Sequence, residues 1–253
     1  MRPGRKARRR PEPRATKDGG GVRVREFRAI CAALGALMLA AAAFAEAETG
    51  DGGARGRQLF ALCTQCHGVD GGGRREYQAP AIAGLPQWYV SGQLEMFRSG
   101  LRGQHFDDAE GMRMRPMSLA LASDADLQAV SAHTASLPLV PQSSTLPGNA
   151  AVGSAYYGPC IGCHGLQGEG REPLFAPPLV GQSDWYLLSA MQKYKAGARG
   201  YGLRGGDHPP ALAQRAALAQ GMAGFSQVLA SEQAILDVIA YILSLEPSAG
   251  GGE

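Results

Sequence analysis

Apolar positions along this chain recur at helical rather than strand spacing. Near the end of each half of the chain, a serine precedes a stretch whose apolar residues lie three and four positions apart, and serine is favoured at helix N-termini. The pattern predicts one helix over 124–136 after Ser123, and another over 232–245 after Ser231. No stretch shows a convincing alternation of apolar and polar residues, as a half-buried strand does, so the pattern predicts an all-α fold.

The same pattern occurs twice, because residues 55–138 align with residues 152–246. Each copy contains, in the same order, a glycine-rich turn, an Ala-Pro segment ending in glycine, a Trp-Tyr pair and the serine-capped helix. Such duplication predicts two tandem domains, over 54–138 and 152–246. The residues between them, 139–151, are rich in Pro, Ser and Gly, which is typical of a linker. A short disordered tail is expected over 247–253.

A longer apolar run, from Ala29 to Ala45, follows a basic segment at the start of the chain. The small residues of Ala43-Phe44-Ala45 fit the cleavage site of an export signal. The run is short for a membrane span, and a retained N-terminal anchor is the alternative interpretation. We therefore interpret residues 1–45 as a basic region and signal peptide, which predicts an exported protein.

The formal charge of +3 conceals a strong asymmetry along the chain. Residues 1–45 hold eleven Lys and Arg against three Asp and Glu, whereas the rest holds fourteen against nineteen, a formal charge of −5. The basic balance therefore belongs to the segment that we expect to be removed. It gives no indication of nucleic-acid binding, and we expect none.

The pentapeptide C-x-x-C-H occurs once in each repeat. This spacing is typical of covalent c-type haem attachment, in which the cysteines hold the porphyrin and the histidine is the proximal iron ligand. We therefore predict two covalently bound haem c groups, held by Cys63, Cys66, Cys160 and Cys163, with His67 and His164 on the irons. Zinc binding or dithiol chemistry is the alternative, but it leaves the adjacent histidine in both copies unexplained.

The repeat register also selects candidates for the sixth ligand of each iron. Met114 and Met222 each stand nine residues before the capping serine of their repeat, in Gly-, Gln- and Arg-rich segments that we expect to be loops. In the first repeat Met112 and Met117 compete with Met114, and only Met114 keeps the register. A methionine ligand favours ferrous iron, and two filled axial positions leave no place for oxygen or peroxide. The pattern therefore favours electron transfer over catalysis.

Further residues are expected around each haem. Pro80 and Pro177 stand thirteen residues after the motif histidines, and a proline carbonyl has no competing N–H, so each suits a hydrogen bond from the proximal histidine. Six side chains are candidates to line the haems or meet their propionates: Trp88, Tyr89, Trp185, Tyr186, Arg98 and Arg102.

The remaining histidines are weaker candidates. His105 and His208 are rival iron ligands, but they do not align with each other in the repeat. His133 takes the position of Tyr241, and we expect it to pack against Phe60.

Together these motifs resemble the dihaem cytochrome c4 family, in which two class I cytochrome c domains each wrap around a covalently bound haem c. The resemblance covers about residues 54–246, and Gln93–Gly103 is the stretch most specific to that family. It implies a bacterial periplasmic electron carrier, often loosely membrane-associated. It also implies redox partners such as quinol–cytochrome c reductase and a terminal oxidase. The alternatives are a cytochrome subunit of a periplasmic dehydrogenase complex and, less favoured, a dihaem peroxidase-like enzyme.

Overall fold

The computed structural model describes residues 52–199 and 209–245. The predicted signal peptide, His208 and the predicted tail lie outside the described residues. Across the described ranges the chain is helical and has no strand, so the predicted all-α fold is confirmed. No helix in the same ranges combines the length and the apolar character needed to cross a membrane.

The first repeat folds into four α-helices and one 3₁₀ turn. In chain order these are α1 over residues 52–67, the turn Arg75–Tyr77, α2 Gln87–Arg98, α3 Ala109–Leu119 and α4 Asp124–Ser136. The predicted cap of α4 is confirmed, since Ser123 Oγ accepts the backbone N–H of Asp126 at 3.1 Å. The C-x-x-C-H motif lies at the end of α1.

The second repeat follows the same order with one interruption. Its elements are α5 Ala150–Tyr156, α6 Gly158–His164, the 3₁₀ turn Glu172–Leu174, α7 Asp184–Lys195, α8 Pro210–Ser226 and α9 Glu232–Ser244. Pro159 lies in the first turn of α6, a position at which proline is tolerated. Because a helix rarely continues through the residues before a proline, α5 ends before Pro159. Two helices, α5 and α6, therefore occupy the place that α1 alone occupies in the first repeat. Ser231 caps α9 by accepting the N–H of Ala234 at 3.1 Å.

Glycine allows the first and last helices of each domain to cross closely. A Cβ atom on Gly56 of α1 would lie 2.4 Å from the carbonyl oxygen of Ala129 in α4. One on Gly153 of α5 would lie 1.9 Å from the carbonyl oxygen of Asp237 in α9. Since real side chains do not approach so closely, both crossings require glycine.

The linker between the repeats is held against the folded chain. Asp184, at the start of α7, is 1% exposed and accepts the backbone N–H of Leu146 at 2.7 Å. Leu139 lies against two glycines that align in the repeat, since a Cβ on Gly84 or Gly181 would come within about 3 Å of its side chain. The described residues, 52–199 and 209–245, belong to one compact unit that contains both repeats.

Candidate functional site

The predicted site residues of each repeat come together around one cavity. The first cavity has a volume of about 200 Å³, and its lining includes Cys63, Cys66, His67 and Met114. The second cavity has a volume of about 270 Å³, and its lining includes Cys160, Cys163, His164 and Met222. Residues that are about fifty positions apart in the first repeat, and about sixty in the second, thus line one space.

Both motif histidines are buried and oriented by a backbone carbonyl. His67 Nδ1 lies 2.7 Å from Pro80 O, and His164 Nδ1 lies 2.9 Å from Pro177 O. A carbonyl oxygen only accepts, so each Nδ1–H donates, and the lone pair of Nε2 is left for a metal. The hydrogen bonds expected from the sequence are therefore confirmed.

Burial also favours the protonation state that a metal ligand needs. It lowers the pKa of His67 and His164, and the hydrogen bonds to Pro80 and Pro177 offset this only in part. A buried imidazole is therefore neutral at physiological pH, the form in which it binds metals.

The glycine-rich turn brings the proline back over the histidine. The N–H of Gly73 donates to His67 O at 2.8 Å, and the N–H of Gly170 donates to His164 O at 2.8 Å. Gly73 has a φ of +84°, and a Cβ there would lie 2.6 Å from the backbone nitrogen of Ala81. Any larger residue would push the Ala-Pro segment away from the ring.

The predicted methionines lie on helices, whereas the sequence indicated loops. Met114 is in α3 and Met222 is in α8. The alanine-rich sequence of α8 favours a helix, and Asp108 caps α3 by accepting the N–H of Gly111 at 3.2 Å. These two local signals outweigh the glycine, glutamine and arginine content on which the loop prediction was based.

The structure narrows the choice among the three methionines of the first repeat. Met112 is 41% exposed and is not among the residues that line either cavity. Met114 and Met117, one helical turn apart, both line the first cavity. His105 lines neither cavity. His133 packs as expected, with its ring 5.2 Å from that of Phe60.

The two cavities share a wall. The residues that line both of them are Leu85, Tyr89, Gln93, Arg102, Gln182, Tyr186, Ala190 and Arg199. The tryptophans cross over, because Trp88 of the first repeat lines the second cavity and Trp185 of the second repeat lines the first. Arg98 was a wrong candidate: it lines neither cavity and pairs with Asp124, whose side chain is exposed.

Two arginines at aligned positions give the shared wall its charge. Arg102 donates to Gln93 Oε1 at 2.6 Å and to Tyr186 Oη at 3.4 Å, and Arg199 donates to the same tyrosine oxygen at 3.5 Å. Each guanidinium also lies over an aromatic ring, that of Phe97 at 4.4 Å and that of Tyr194 at 4.7 Å. Sequence reasoning missed Arg199, although its alignment with Arg102 was a usable signal.

The arginines change the acid–base properties of the wall. Burial opposes ionisation of Tyr186, but Arg199 and Arg102 outweigh it and lower the tyrosine's pKa to about 7. Burial and the neighbouring Tyr186 raise the pKa of Tyr89 to about 12. Positive charge is thus concentrated between the cavities, which suits carboxylate groups placed there from either side.

These features fit a haem c in each cavity. The cysteine pair would hold the porphyrin, the histidine Nε2 and a methionine sulfur would bind the iron, and Arg102 and Arg199 would meet the propionates. A zinc ion needs three or four ligands brought together, and no such group of His, Cys, Asp and Glu occurs within residues 52–199 and 209–245.

Known proteins give a matching result. The family model described as cytochrome c matches twice, over residues 53–138 and 150–246. The chain is 33% identical to the thiosulfate dehydrogenase electron acceptor of Stutzerimonas stutzeri, over 54% of this chain and 64% of that protein. It therefore matches slightly less than two thirds of that relative.

Two solved structures are similar to this fold. One is thiosulfate dehydrogenase TsdBA from Marichromatium purpuratum, with a TM-score of 0.58 and 28% identity over 78% of this chain and 41% of that one. The other is reduced recombinant cytochrome c4 from Pseudomonas stutzeri, with a TM-score of 0.55 and 26% identity over 77% of this chain and 98% of that one.

Proposed function

The chain belongs to the cytochrome c family, with two of its domains in tandem, and from this premise we propose that it is a dihaem carrier of single electrons between redox proteins. One observation supports this most: a buried histidine and a methionine line each of the two cavities, together with the cysteine pair. Haem bound there supplies an iron that takes up and releases one electron. Filled axial positions leave no place for peroxide, which disfavours a peroxidase.

We assign the axial roles to His67 with Met114, and to His164 with Met222. The protein would supply a fixed imidazole and a thioether to the iron, and an apolar lining that limits water. A thioether favours ferrous iron and so raises the reduction potential. Each site is thereby suited to exchanging electrons without binding a substrate.

The finer setting is also part of the proposal. Export through residues 1–45 would place the carrier in the periplasm. In that oxidising compartment, thioether bonds to haem would protect the cysteine pairs from oxidation. Quinol–cytochrome c reductase as donor and a terminal oxidase as acceptor are the partners that the family resemblance implies.

A second candidate function is a dedicated acceptor for one dehydrogenase. It is favoured by the similarity to a protein named as an electron acceptor of thiosulfate dehydrogenase and to the TsdBA structure. Size-exclusion chromatography of the native protein from periplasmic extract separates the two functions. Elution in a stable complex with a larger enzyme supports the dedicated acceptor, and elution as a free protein supports the general carrier.

Substitution of the methionines tests the carrier proposal. We expect Met222→Ala and Met114→Ala each to lower the potential of one haem and open that iron to rapid cyanide binding, with both haems still attached. Spectroelectrochemical titration and cyanide-binding kinetics measure both effects. Met112→Ala is the matched control, because this side chain is exposed and lines neither cavity.

Two results would contradict these assignments. Unchanged spectra and potentials in Met222→Ala would contradict the assignment of Met222 as the ligand of the second iron. A loss of the first iron's ligand in Met117→Ala, with none in Met114→Ala, would show that the repeat register does not hold there.

A further inference from the structure

The two domains meet through residues that align in the repeat, and one aligned pair differs in charge. Asp108 and Ala216 each stand six positions before the candidate methionine of their repeat. Asp108 Oδ1 lies 2.7 Å from Nζ of Lys193 in α7. Lys193 aligns with Met96 in α2, and Met96 belongs with Ala216 to one buried apolar cluster. Thus the contact between Asp108 and Lys193 is an ion pair, whereas the aligned contact between Ala216 and Met96 is apolar.

Asp108 is an unusually placed carboxylate. It is 2% exposed, and its Oδ2 atom is buried without a hydrogen-bond partner. Glu110, two residues further on, also pairs with Lys193. All three side chains line the first cavity. The described residues that line the second cavity include no carboxylate.

Other charges near the cavities do not cancel this difference. Arg102 and Arg199 are an aligned pair, one from each repeat, and both line both cavities, so their positive charge acts on both haems. Arg113 lines the first cavity but is exposed, where solvent screens it. Arg215 lines the second cavity and is paired with Glu95. The remaining difference is the group of Asp108, Glu110 and Lys193, which carries one net negative charge.

We propose that the carboxylates of Asp108 and Glu110, held by Lys193 of the other domain, lower the reduction potential of the first haem relative to the second. This rests on the proposed function. Ferric iron carries one more positive charge than ferrous iron, so a nearby negative charge favours the ferric state. Because Asp108 is buried, little solvent screens that interaction. Asp108 then acts on the iron through its charge and without contacting it.

Asp108→Asn tests the proposal, because asparagine keeps the size of the side chain and also caps helices well. We expect the potential of the first haem to rise and that of the second to change much less. The equilibrium constant for sharing one electron between the haems should change by about tenfold, which is ~59 mV for a one-electron couple. Spectroelectrochemical titration measures both potentials, and Met222→Ala identifies the wave of the second haem.

Two further variants keep the test decisive. Glu110→Gln removes the other carboxylate. Because Glu110 is 32% exposed and does not cap α3, this variant still gives the potential of the first haem if Asp108→Asn does not fold. We expect it to raise the same potential. Asp126→Asn is the matched control, since that carboxylate pairs with Arg55 and lines neither cavity.

The proposal and the function on which it rests fail in different ways. Unchanged separation of the two potentials in Asp108→Asn or Glu110→Gln, or an equal shift of both haems, overturns the tuning role. A wild-type protein with fewer than two covalent haems, or with an iron lacking methionine, overturns the proposed function instead. Haem content and near-infrared spectra are therefore recorded for every variant.

Discussion

The last helices of the two domains occupy the same position in the repeat but bury different chemistry. Helix α9 buries Ile239 and Ile242, where α4 buries Ser131 and Thr134. Both hydroxyl groups donate hydrogen bonds to carbonyl oxygens of their own helix. Ser131 Oγ donates to Leu127 O at 2.7 Å, and Thr134 Oγ1 donates to Val130 O at 2.7 Å. The first domain therefore keeps its helix packing with less apolar burial.

This difference indicates how each domain obtains its core. Each buried methylene contributes about 0.8 kcal/mol, so the isoleucines give the second domain a core that is less dependent on its cofactor. The first domain, with fewer buried apolar atoms, needs the haem more. Duplication has thus conserved the chemistry of the haem site while the packing behind it diverged.

Removing one haem at a time gives the largest test of that comparison. We expect Cys63→Ala with Cys66→Ala to leave one haem per chain and to unfold the first domain. The matched pair, Cys160→Ala with Cys163→Ala, should leave partial helical structure in the second domain, because α9 still buries its isoleucines. Haem staining and domain-resolved hydrogen exchange measure the two outcomes. Equal loss of protection in both double variants would contradict the difference in haem dependence.

The glycine crossings should respond alike in the two domains, which sharpens the comparison. Gly56→Ala and Gly153→Ala each place a methyl group against the backbone of the last helix, at a cost of about 1–3 kcal/mol in the free energy of unfolding. The shorter approach at Gly153 predicts the larger effect. Denaturant unfolding of each holoprotein measures it. Gly53→Ala is the control, because its Cβ would meet only Arg57 at 3.9 Å; a cost there equal to that at Gly56 would contradict the steric argument.

The smallest effect concerns His133, which the second domain replaces by Tyr241. Burial, and then Arg57, lower the pKa of His133 from 6.5, so the unfolded chain binds a proton more readily than the folded one. The free energy of unfolding of the first domain is therefore highest above pH 6.5, and it falls as the pH drops through the lower pKa of the folded state.

We expect His133→Tyr to remove this pH dependence and to change neutral-pH stability by less than about 1 kcal/mol, since Tyr241 packs on Tyr157 at the same 5.2 Å. Thermal unfolding between about pH 8 and pH 5 measures it. The unfolding of the second domain, which lacks this histidine, is the internal control. An unchanged pH dependence in the variant would show that other groups cause it.

Local signals explain which parts of this molecule could be predicted from sequence. The serine caps and apolar spacing predicted α4 and α9, and the fixed distance from His67 to Pro80 predicted their hydrogen bond, because each involves residues close in the chain. The helices α3 and α8 were missed because their glycine, glutamine and arginine content favoured loops, and α3 contains Pro116 as well. Helix capping and packing outweighed that signal.

The shared wall could not be predicted, because it depends on how the two domains pack against each other. Nothing in the repeat indicates that Trp88 lines the other domain's cavity, or that Arg98 points away while Arg102 lies between the two. Aligned positions such as Arg199 can be found from sequence, but their common location requires the structure.

The near-infrared spectrum of the fully oxidised holoprotein, recorded during a redox titration, tests the central claim most directly. Two closed His/Met iron sites predict a sulfur-to-iron charge-transfer band from both haems, which disappears in two one-electron steps, and slow binding of cyanide at both irons. A band from one haem alone, or rapid cyanide binding at either iron, would contradict an electron carrier with two closed sites.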